Sequence, residues 1–95
     1  MQWLNNQRAD VAFIQETHFT ENIINSIDNE LSSWNTWHSF GNNLSRGCSI
    51  LVNKKLTHSS IYHFSDGDGR YILLNIEINE NIYTLLNIYI YMLQT

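Results

Sequence analysis

Aliphatic residues occupy every second position from 72 to 78, and this spacing constrains the fold more than any other feature of the sequence. Successive side chains of an extended strand point to opposite faces, so every second residue shares a face. One face of this strand is apolar: Ile72, Leu74, Ile76 and Ile78. A short polar turn over residues 79–81 precedes a second run over 82–91. That run also has an apolar face: Ile82, Leu86, Ile88 and Ile90. The two runs predict a β-hairpin.

A short apolar run, Val11 to Ile14, lies near the N-terminus and stops abruptly at polar residues. The run is long enough for a strand covered on both faces and too short for a helix. The polar residues that follow are Gln15, Glu16, Thr17 and His18. Open α/β sheets place their chemistry at the carboxyl ends of buried strands, so Glu16 is a candidate ligand for a hard cation such as Mg²⁺. The alternative interpretation is that residues 15–18 form a simple polar loop.

The remaining segments predict the end of one helix, a complete second helix and several short strands. Residues 1–8 have the pattern of a helix end followed by a connection. Thr20 can cap a second helix, with Glu21 in its first turn, and Ser32 and Ser33 end it. The apolar face of this helix is formed by Ile23, Ile24, Ile27 and Leu31. Strands are predicted at 34–40 (a sheet edge), 48–52 and 60–64, with turns at 41–43 and 65–69.

Composition limits the classes of protein to consider. Ninety-five residues allow one domain at most, and 43% hydrophobic residues is a globular value. A net charge of −4 with five Lys and Arg argues against binding nucleic acid through electrostatics alone. The single cysteine, Cys48, has no internal disulfide partner and is expected to be a small core residue. The sequence has no signal-peptide pattern and no apolar run of transmembrane length, which predicts a soluble intracellular protein without a membrane partner.

The segment Asp66-Gly67-Asp68-Gly69 superficially resembles a calcium loop. It lacks the ligand spacing and the distal Glu of an EF-hand, so a tight β-turn is the preferred interpretation. The sequence shows no glycine-rich phosphate loop, no zinc-site spacing and no arrangement that argues for a Ser/His/Asp or Cys/His catalytic group.

Several short motifs occur in a specific order along the chain. Gln-Glu-Thr-His follows the first strand; Ser-Arg-Gly-Cys-Ser-Ile-Leu-Val, Asp-Gly-Asp-Gly-Arg-Tyr-Ile-Leu-Leu and Leu-Leu-Asn-Ile-Tyr come after the helix. In this order they resemble the endonuclease/exonuclease/phosphatase superfamily, and most closely the apurinic-type (AP) endonuclease domain of LINE-type retrotransposons. The resemblance extends from about Trp3 to Tyr89.

The resemblance implies an α/β (α+β) fold in which two mixed sheets pack face to face with helices outside, a four-layer sandwich. It implies a Mg²⁺-dependent phosphodiesterase with DNA as partner and a nuclear location. Glu16 matches the family's metal-binding Glu, and Tyr89 matches the Tyr that contacts the phosphate. Gln15, Thr17 and His18 match positions with supporting roles. Other matching positions are interpreted as structural: Arg46, Gly47, Asp66, Gly69, Arg70 and Tyr71.

The departures from the family pattern lead us to expect a single partial domain over residues 1–95, truncated at both ends. The strand carrying the family's metal-site Asn is missing. So is the second half, with its Asp/Asn and Asp/His pairs. Ile90-Tyr91-Met92 stands where the family has Ala-Pro-Asn after the Tyr. We therefore expect weak or absent Mg²⁺ binding and no activity. Two alternatives remain open: a small interaction module that associates, with itself or another chain, through an exposed sheet edge, and a remnant without a selected role.

Overall fold

The structure, a computed structural model, describes residues 9–41 and 46–89. The predictions for residues 1–8, 42–43 and 90–91 lie outside the described residues. The described chain contains six strands, a 3₁₀ turn and a short helix, in the order β1 (Val11–Gln15), 3₁₀ turn (Glu21–Ile23), α1 (Ile24–Glu30), β2 (Trp34–Ser39), β3 (Cys48–Asn53), β4 (His58–Ser65), β5 (Tyr71–Ile78) and β6 (Asn81–Ile88). The predicted hairpin is confirmed as β5 and β6, and the strand predicted at 60–64 is longer than expected.

The strands form two three-stranded sheets. The first sheet has the order β1-β3-β2 and the second has the order β4-β5-β6. All four strand pairings are antiparallel, so the mixed pairing implied by the resemblance is not found among the described residues. The reason is that β3 lies between β1 and β2, which run in the same direction but do not pair with each other.

A hydrophobic core fills the space between the two sheets. The second sheet contributes the predicted face of β5, and β3 contributes alternate residues of its apolar run. The fully buried members are Cys48, Ile50, Val52, Ile72, Leu74 and Ile76. Cys48 is therefore the core residue predicted from the sequence. Burial, with a smaller contribution from the Asp66 carboxylate, raises the pKa of its thiol to about 11, so it stays protonated at neutral pH.

A second core lies between α1 and the other face of the first sheet. Its buried residues are Phe19, Ile27, Leu31, Trp34 and Leu51. Two details of the helix prediction are wrong. No side chain caps α1, and Thr20 instead accepts a backbone hydrogen bond from the Ile23 N–H at 3.3 Å. Ile23 itself is exposed, because it lies in the 3₁₀ turn, where the side-chain spacing differs from that of the α-helix.

β1 is only partly covered, and this corrects the prediction of a strand buried on both faces. Ala12 and Ile14 contact the helix-side core, and Val11 contacts the core between the sheets. Phe13, however, is 50% exposed. β1 pairs only with β3 among the described strands, so one of its edges has no described neighbour. The architecture is nevertheless the predicted α/β (α+β) class, with helix, sheet and sheet in successive layers.

The register of the second sheet decides which face of β6 is covered. Asn87 pairs with Ile72 and Leu85 pairs with Leu74, so the odd-numbered residues of β6 point toward the core. The apolar face recognised in the sequence therefore points outward. Together with neighbours on β4 it forms an exposed apolar surface, called here the outer face: Tyr62, Phe64, Ile82, Leu86 and Ile88.

Candidate active site

Strands from both sheets end on one side of the sandwich. Within each sheet the two outer strands run antiparallel to the central strand, so their carboxyl ends lie together. Hydrogen bonds from Gln15 to Ile88 and from Ser39 to Asp66 place these ends of the two sheets on the same side. The predicted residues on β1 and those that follow β6 consequently meet, although 73 positions separate Glu16 from Tyr89. This end of the sandwich is the candidate site.

Glu16 and Tyr89 are in direct contact. The Tyr89 hydroxyl donates a hydrogen bond to Glu16 Oε1 at 2.7 Å, and the Glu16 side chain is exposed to solvent. The Tyr89 backbone N–H donates to the Arg70 carbonyl oxygen at 2.6 Å, which ties the residue after β6 to the start of β5. The structure thus brings together the two residues to which the resemblance gives the central roles, and the roles themselves remain predictions.

Gln15, the residue before Glu16, connects the two sheets. Its Nε2 donates to Asn87 Oδ1 at 3.1 Å and also to the Ile88 carbonyl oxygen. Asn87 Nδ2 in turn donates to the carbonyl oxygens of Ile14 at 3.0 Å and Ser49 at 2.9 Å. Asn87 is only 3% exposed. Asn87 was not predicted as a site residue, although an amide within an otherwise apolar strand is a signal for a buried polar contact.

Thr17 and His18 form the turn that follows β1. Their backbone N–H groups donate to the carbonyl oxygens of Gly47 at 3.1 Å and Arg46 at 3.0 Å. Glu16 and His18 have positive φ angles of 52° and 58°, an uncommon conformation for residues other than glycine. Such backbone strain is often found at functional sites. The backbone hydrogen bonds hold this turn against residues 46–47, and neither the Thr17 nor the His18 side chain contacts Glu16 or Tyr89 through a described hydrogen bond. Their supporting roles remain predictions.

Glycines make the backbone of this end compact. Gly47 has a φ of 99°, and a Cβ there would lie 2.4 Å from Thr17 Oγ1. Gly69 has a φ of 77°, and a Cβ there would lie 2.6 Å from the Gly47 nitrogen and 2.8 Å from Gly41 Cα. The Gly47 N–H donates to the Gly69 carbonyl oxygen at 2.9 Å. The structural interpretation of Gly47 and Gly69 is in accord with these contacts.

Asp66 organises the turn between β4 and β5. Its Oδ1 accepts a hydrogen bond from Ser39 Oγ at 2.6 Å and from the backbone N–H groups of Asp68, Arg70 and Tyr71 at 3.2–3.4 Å. Partial burial raises the pKa of the Asp66 carboxyl, but these hydrogen bonds outweigh that effect and hold it below its ordinary value. The segment is thus the tight turn predicted from its sequence.

Ser49, His38 and Asp28 form a grouping that was not predicted from the sequence. Ser49 Oγ lies 2.6 Å from His38 Nδ1, and His38 Nε2 lies 3.9 Å from Asp28 Oδ1, beyond hydrogen-bond distance. Burial lowers the pKa of His38, and the Asp28 carboxylate offsets only part of this shift. The grouping superficially resembles a catalytic triad. Ser49 is fully buried, however, so its hydroxyl cannot meet a substrate in this conformation.

The site offers a divalent cation one carboxylate, that of Glu16. Among residues 9–41 and 46–89, no group of three or more His, Cys, Asp or Glu side chains is placed to share a metal ion. Mg²⁺ is commonly held by one or two carboxylates, with water and substrate phosphate completing its oxygen ligands. An exposed carboxylate fits that requirement, so Glu16 would hold the ion, and the ion would supply charge neutralisation for a phosphate group.

Two sheets packed face to face, with a carboxylate and a phenol where their strands end, define a layered α/β domain with a polar site at one end. Residues 1–89 match the profile of the Endonuclease/Exonuclease/phosphatase family, and the chain belongs to this family. It is thus a nuclease- or phosphatase-type domain, in a family that is generally metal-dependent. A comparison with curated proteins finds no match. No helix in the described part of the chain is long and apolar enough to cross a membrane.

Proposed function

We propose that this chain carries part of the site of a Mg²⁺-dependent phosphodiesterase, a DNA endonuclease of the AP-like LINE-retrotransposon type, and that it is inactive alone. The observation that carries the proposal is the 2.7 Å hydrogen bond between Tyr89 and Glu16, which directly follow strands of different sheets. The motif order found in the sequence supports the LINE type. A family of nucleases and phosphatases supports a phosphodiester or phosphate monoester as substrate class.

Glu16 and Tyr89 have complementary chemistry toward a phosphate ester. A carboxylate oxygen is a suitable ligand for Mg²⁺, and a phenol hydroxyl can donate a hydrogen bond to a phosphate oxygen. In the described structure that hydroxyl donates to Glu16 instead. Phosphate binding through Tyr89 would therefore require the hydroxyl to exchange one acceptor for another.

The inactivity follows from the small number of groups that converge on the site. Phosphodiester cleavage needs a positioned nucleophile, a metal ion and stabilisation of the developing charge. Among the described residues, the side chains in mutual contact at Glu16 supply a metal ligand and one hydrogen-bond donor but no general base beside them. The net charge of −4 also disfavours tight binding of the DNA backbone.

A plasmid-nicking assay with Mg²⁺ tests the proposal. We expect supercoiled DNA to be converted no faster than in the protein-free blank. Glu16→Ala serves as the site variant, and Glu77→Ala, which removes an exposed carboxylate on β5, serves as the matched control. Nicking that disappears in Glu16→Ala and persists in Glu77→Ala would overturn the inactivity of this chain.

The outer face favours a second candidate function, a non-catalytic interaction module. Phe64, Leu86 and Ile88 are between 44% and 49% exposed and lie on one side of the second sheet. β6 carries no charged residue and no Pro or Gly, and it is an edge strand among the described residues. An uncharged edge strand next to an exposed apolar surface favours strand pairing with another chain, a second copy of this protein included.

Sedimentation velocity over a concentration series tests this second candidate. Self-association predicts a sedimentation coefficient that rises with protein concentration, and Leu86→Lys should suppress the rise because it adds a charge to the edge and to the outer face. Asn25→Lys, at an exposed site on α1 and outside the second sheet, is the control. A monodisperse monomer at all concentrations would argue against self-association.

A further inference from the structure

Asn87 stands out as a buried amide whose hydrogen-bonding groups are all used to connect strands of different sheets. Both hydrogens of its Nδ2 go to carbonyl oxygens of the first sheet, those of Ile14 at 3.0 Å and Ser49 at 2.9 Å. Its Oδ1 accepts from Gln15 Nε2 at 3.1 Å. Asn87 itself belongs to β6, in the second sheet. A buried amide with every partner satisfied fixes the relative position of the groups it joins.

Asn87 is close to both members of the Glu16–Tyr89 pair. Two of its partners, Ile14 and Gln15, immediately precede Glu16 in the chain, and Asn87 precedes Tyr89 by two residues. Gln15 also donates to the carbonyl oxygen of Ile88, so the ends of β1 and β6 are held together by two bonds from a single amide. Without these two bonds and the one from Asn87 Nδ2 to the Ile14 carbonyl oxygen, β1 and β6 would meet only through packing, since they belong to different sheets.

We infer that Asn87, acting through Gln15 and the Ile14 carbonyl, is a positioning residue that holds Glu16 within hydrogen-bonding reach of Tyr89. The inference rests on the proposed function in one respect: it concerns the same carboxylate that would hold the metal ion. Groups that orient a metal ligand without touching the metal typically change metal affinity by about 10–100-fold when they are removed. In the described part of the chain, Asn87 and Gln15 form no hydrogen bond with the Glu16 carboxylate, so they act through the backbone that precedes Glu16 and Tyr89.

Two measurements on the full chain test the inference. The first is the ¹³Cζ chemical shift of Tyr89, assigned with Tyr89→Phe and referenced to Glu16→Gln, which alters the acceptor. The second is Mn²⁺ affinity from paramagnetic broadening. In Asn87→Leu, we expect the Tyr89 shift to move toward its value in Glu16→Gln and Mn²⁺ affinity to fall by about 10–100-fold. Gln15→Met, which leaves the buried Asn87 in place, should change both quantities in the same direction.

Asn75→Leu is the matched control. Asn75 lies on β5 of the same sheet, but its Oδ1 accepts only from Thr84 Oγ1 at 2.9 Å on the outward side, away from β1. It should leave both measured quantities unchanged. If Asn87→Leu does not fold, Gln15→Met still decides the question, because Gln15 is exposed and its replacement leaves the core intact.

A purely structural role for Asn87 predicts a different result. The variants would then lower the free energy of unfolding while the folded protein kept its Tyr89 shift and its Mn²⁺ affinity, and that result would overturn the inference. Absence of Mn²⁺ binding in the unaltered protein, combined with a Tyr89 shift that moves in Asn87→Leu, would support the positioning and refute the proposed metal-dependent function. A failure of the positioning role can therefore be distinguished from a failure of the proposed metal-dependent function.

Discussion

Asp66 uses a single carboxylate oxygen to hold the turn that precedes β5. Oδ1 accepts hydrogen bonds from Ser39 and from three backbone N–H groups, and Ser39 Oγ in turn accepts from the Gly69 N–H at 3.0 Å. Hydrogen bonds to a charged acceptor are stronger than those to a neutral one. The negative charge of Asp66 thus stabilises the turn and, through Ser39, the end of β2.

The pH dependence of folding stability follows from this arrangement. The hydrogen bonds hold the pKa of Asp66 below its ordinary value of 3.8, so the folded state favours the charged form. That contribution is fully present above pH 3.8 and is lost as the pH falls through the lower, folded-state pKa. We expect Asp66→Asn to lower the free energy of unfolding by about 1 kcal/mol at pH 7. This difference from the unaltered protein should shrink as the pH falls below 3.8, the ordinary pKa of an Asp carboxyl.

Urea unfolding at a series of pH values measures this prediction. Glu77→Gln is the control, because Glu77 is an exposed acid on the same strand and accepts none of the turn's hydrogen bonds. A deficit for Asp66→Asn that stays constant down to strongly acidic pH would contradict the assigned role of the charge.

Single residues also show the limits of prediction from sequence. Cys48 as a core residue followed from its position in an apolar run, which is local information. Asn87 was not recognised, because its partners Ile14 and Ser49 lie 73 and 38 positions away in the sequence. Glu16 and Tyr89 were connected only through the family resemblance. Nothing in the residue pattern itself predicted their contact.

At the scale of elements, the three glycines Gly41, Gly47 and Gly69 let two turns approach each other closely. Gly69→Ala would place a Cβ 2.6 Å from the Gly47 nitrogen. This clash is costly because the atom it meets belongs to the backbone, which cannot shift as easily as a flexible side chain. Gly67→Ala is the matched control, since Gly67 has a similar φ of 74° but nothing within 4 Å of the added Cβ. Both variants incur the penalty for a left-handed conformation, about 1–2 kcal/mol.

We therefore expect Gly69→Ala to be less stable than Gly67→Ala by roughly 1–3 kcal/mol, the typical penalty for overpacking. Thermal unfolding of the two variants side by side measures the difference. Equal melting temperatures would mean that the backbones separate without loss, which would contradict the close contact of the two turns.

The β5–β6 hairpin offers a test of turn chemistry. Its two connecting residues, Asn79 and Glu80, have φ angles of 52° and 69°, as in a type I′ turn. Asn accepts this conformation well and Glu does not, whereas glycine is preferred at the second position. We expect Glu80→Gly to raise the free energy of unfolding by about 0.5–1 kcal/mol.

Thermal unfolding should show the increase for Glu80→Gly and not for Glu80→Ala, which removes the same charge and keeps the strained backbone conformation. Equal stabilisation by both variants would assign the effect to charge.

Elements with a strong local sequence pattern were predicted correctly, whereas which side chains of these elements are buried or exposed was predicted less well. The hairpin, β3 and α1 follow from alternation, a continuous apolar run and helical spacing. The exposure of Phe13 and the outward direction of Leu86 depend on which strands pair and in which register. Pairing brings together residues far apart in sequence, so single-strand patterns do not determine it.

The described residues form a layered structure in which one sheet surface, the outer face, is left uncovered. α1 covers one face of the first sheet, and the second sheet covers the other. The outer face of the second sheet is covered by no described element, which is the basis of the interaction-module alternative. The fold class followed from the sequence and the family resemblance, but the antiparallel pairing of every described strand did not.

We propose that the exposed carboxylate of Glu16, which accepts a hydrogen bond from Tyr89, is where this chain binds a divalent cation, if only weakly. Mn²⁺ titration followed by paramagnetic broadening of NMR signals tests this claim. We predict saturable broadening centred on Glu16 and Tyr89 that disappears in Glu16→Gln and persists in Glu77→Gln. Broadening centred on another group of acids, such as Asp66 and Asp68, or broadening unchanged in Glu16→Gln, would contradict the claim.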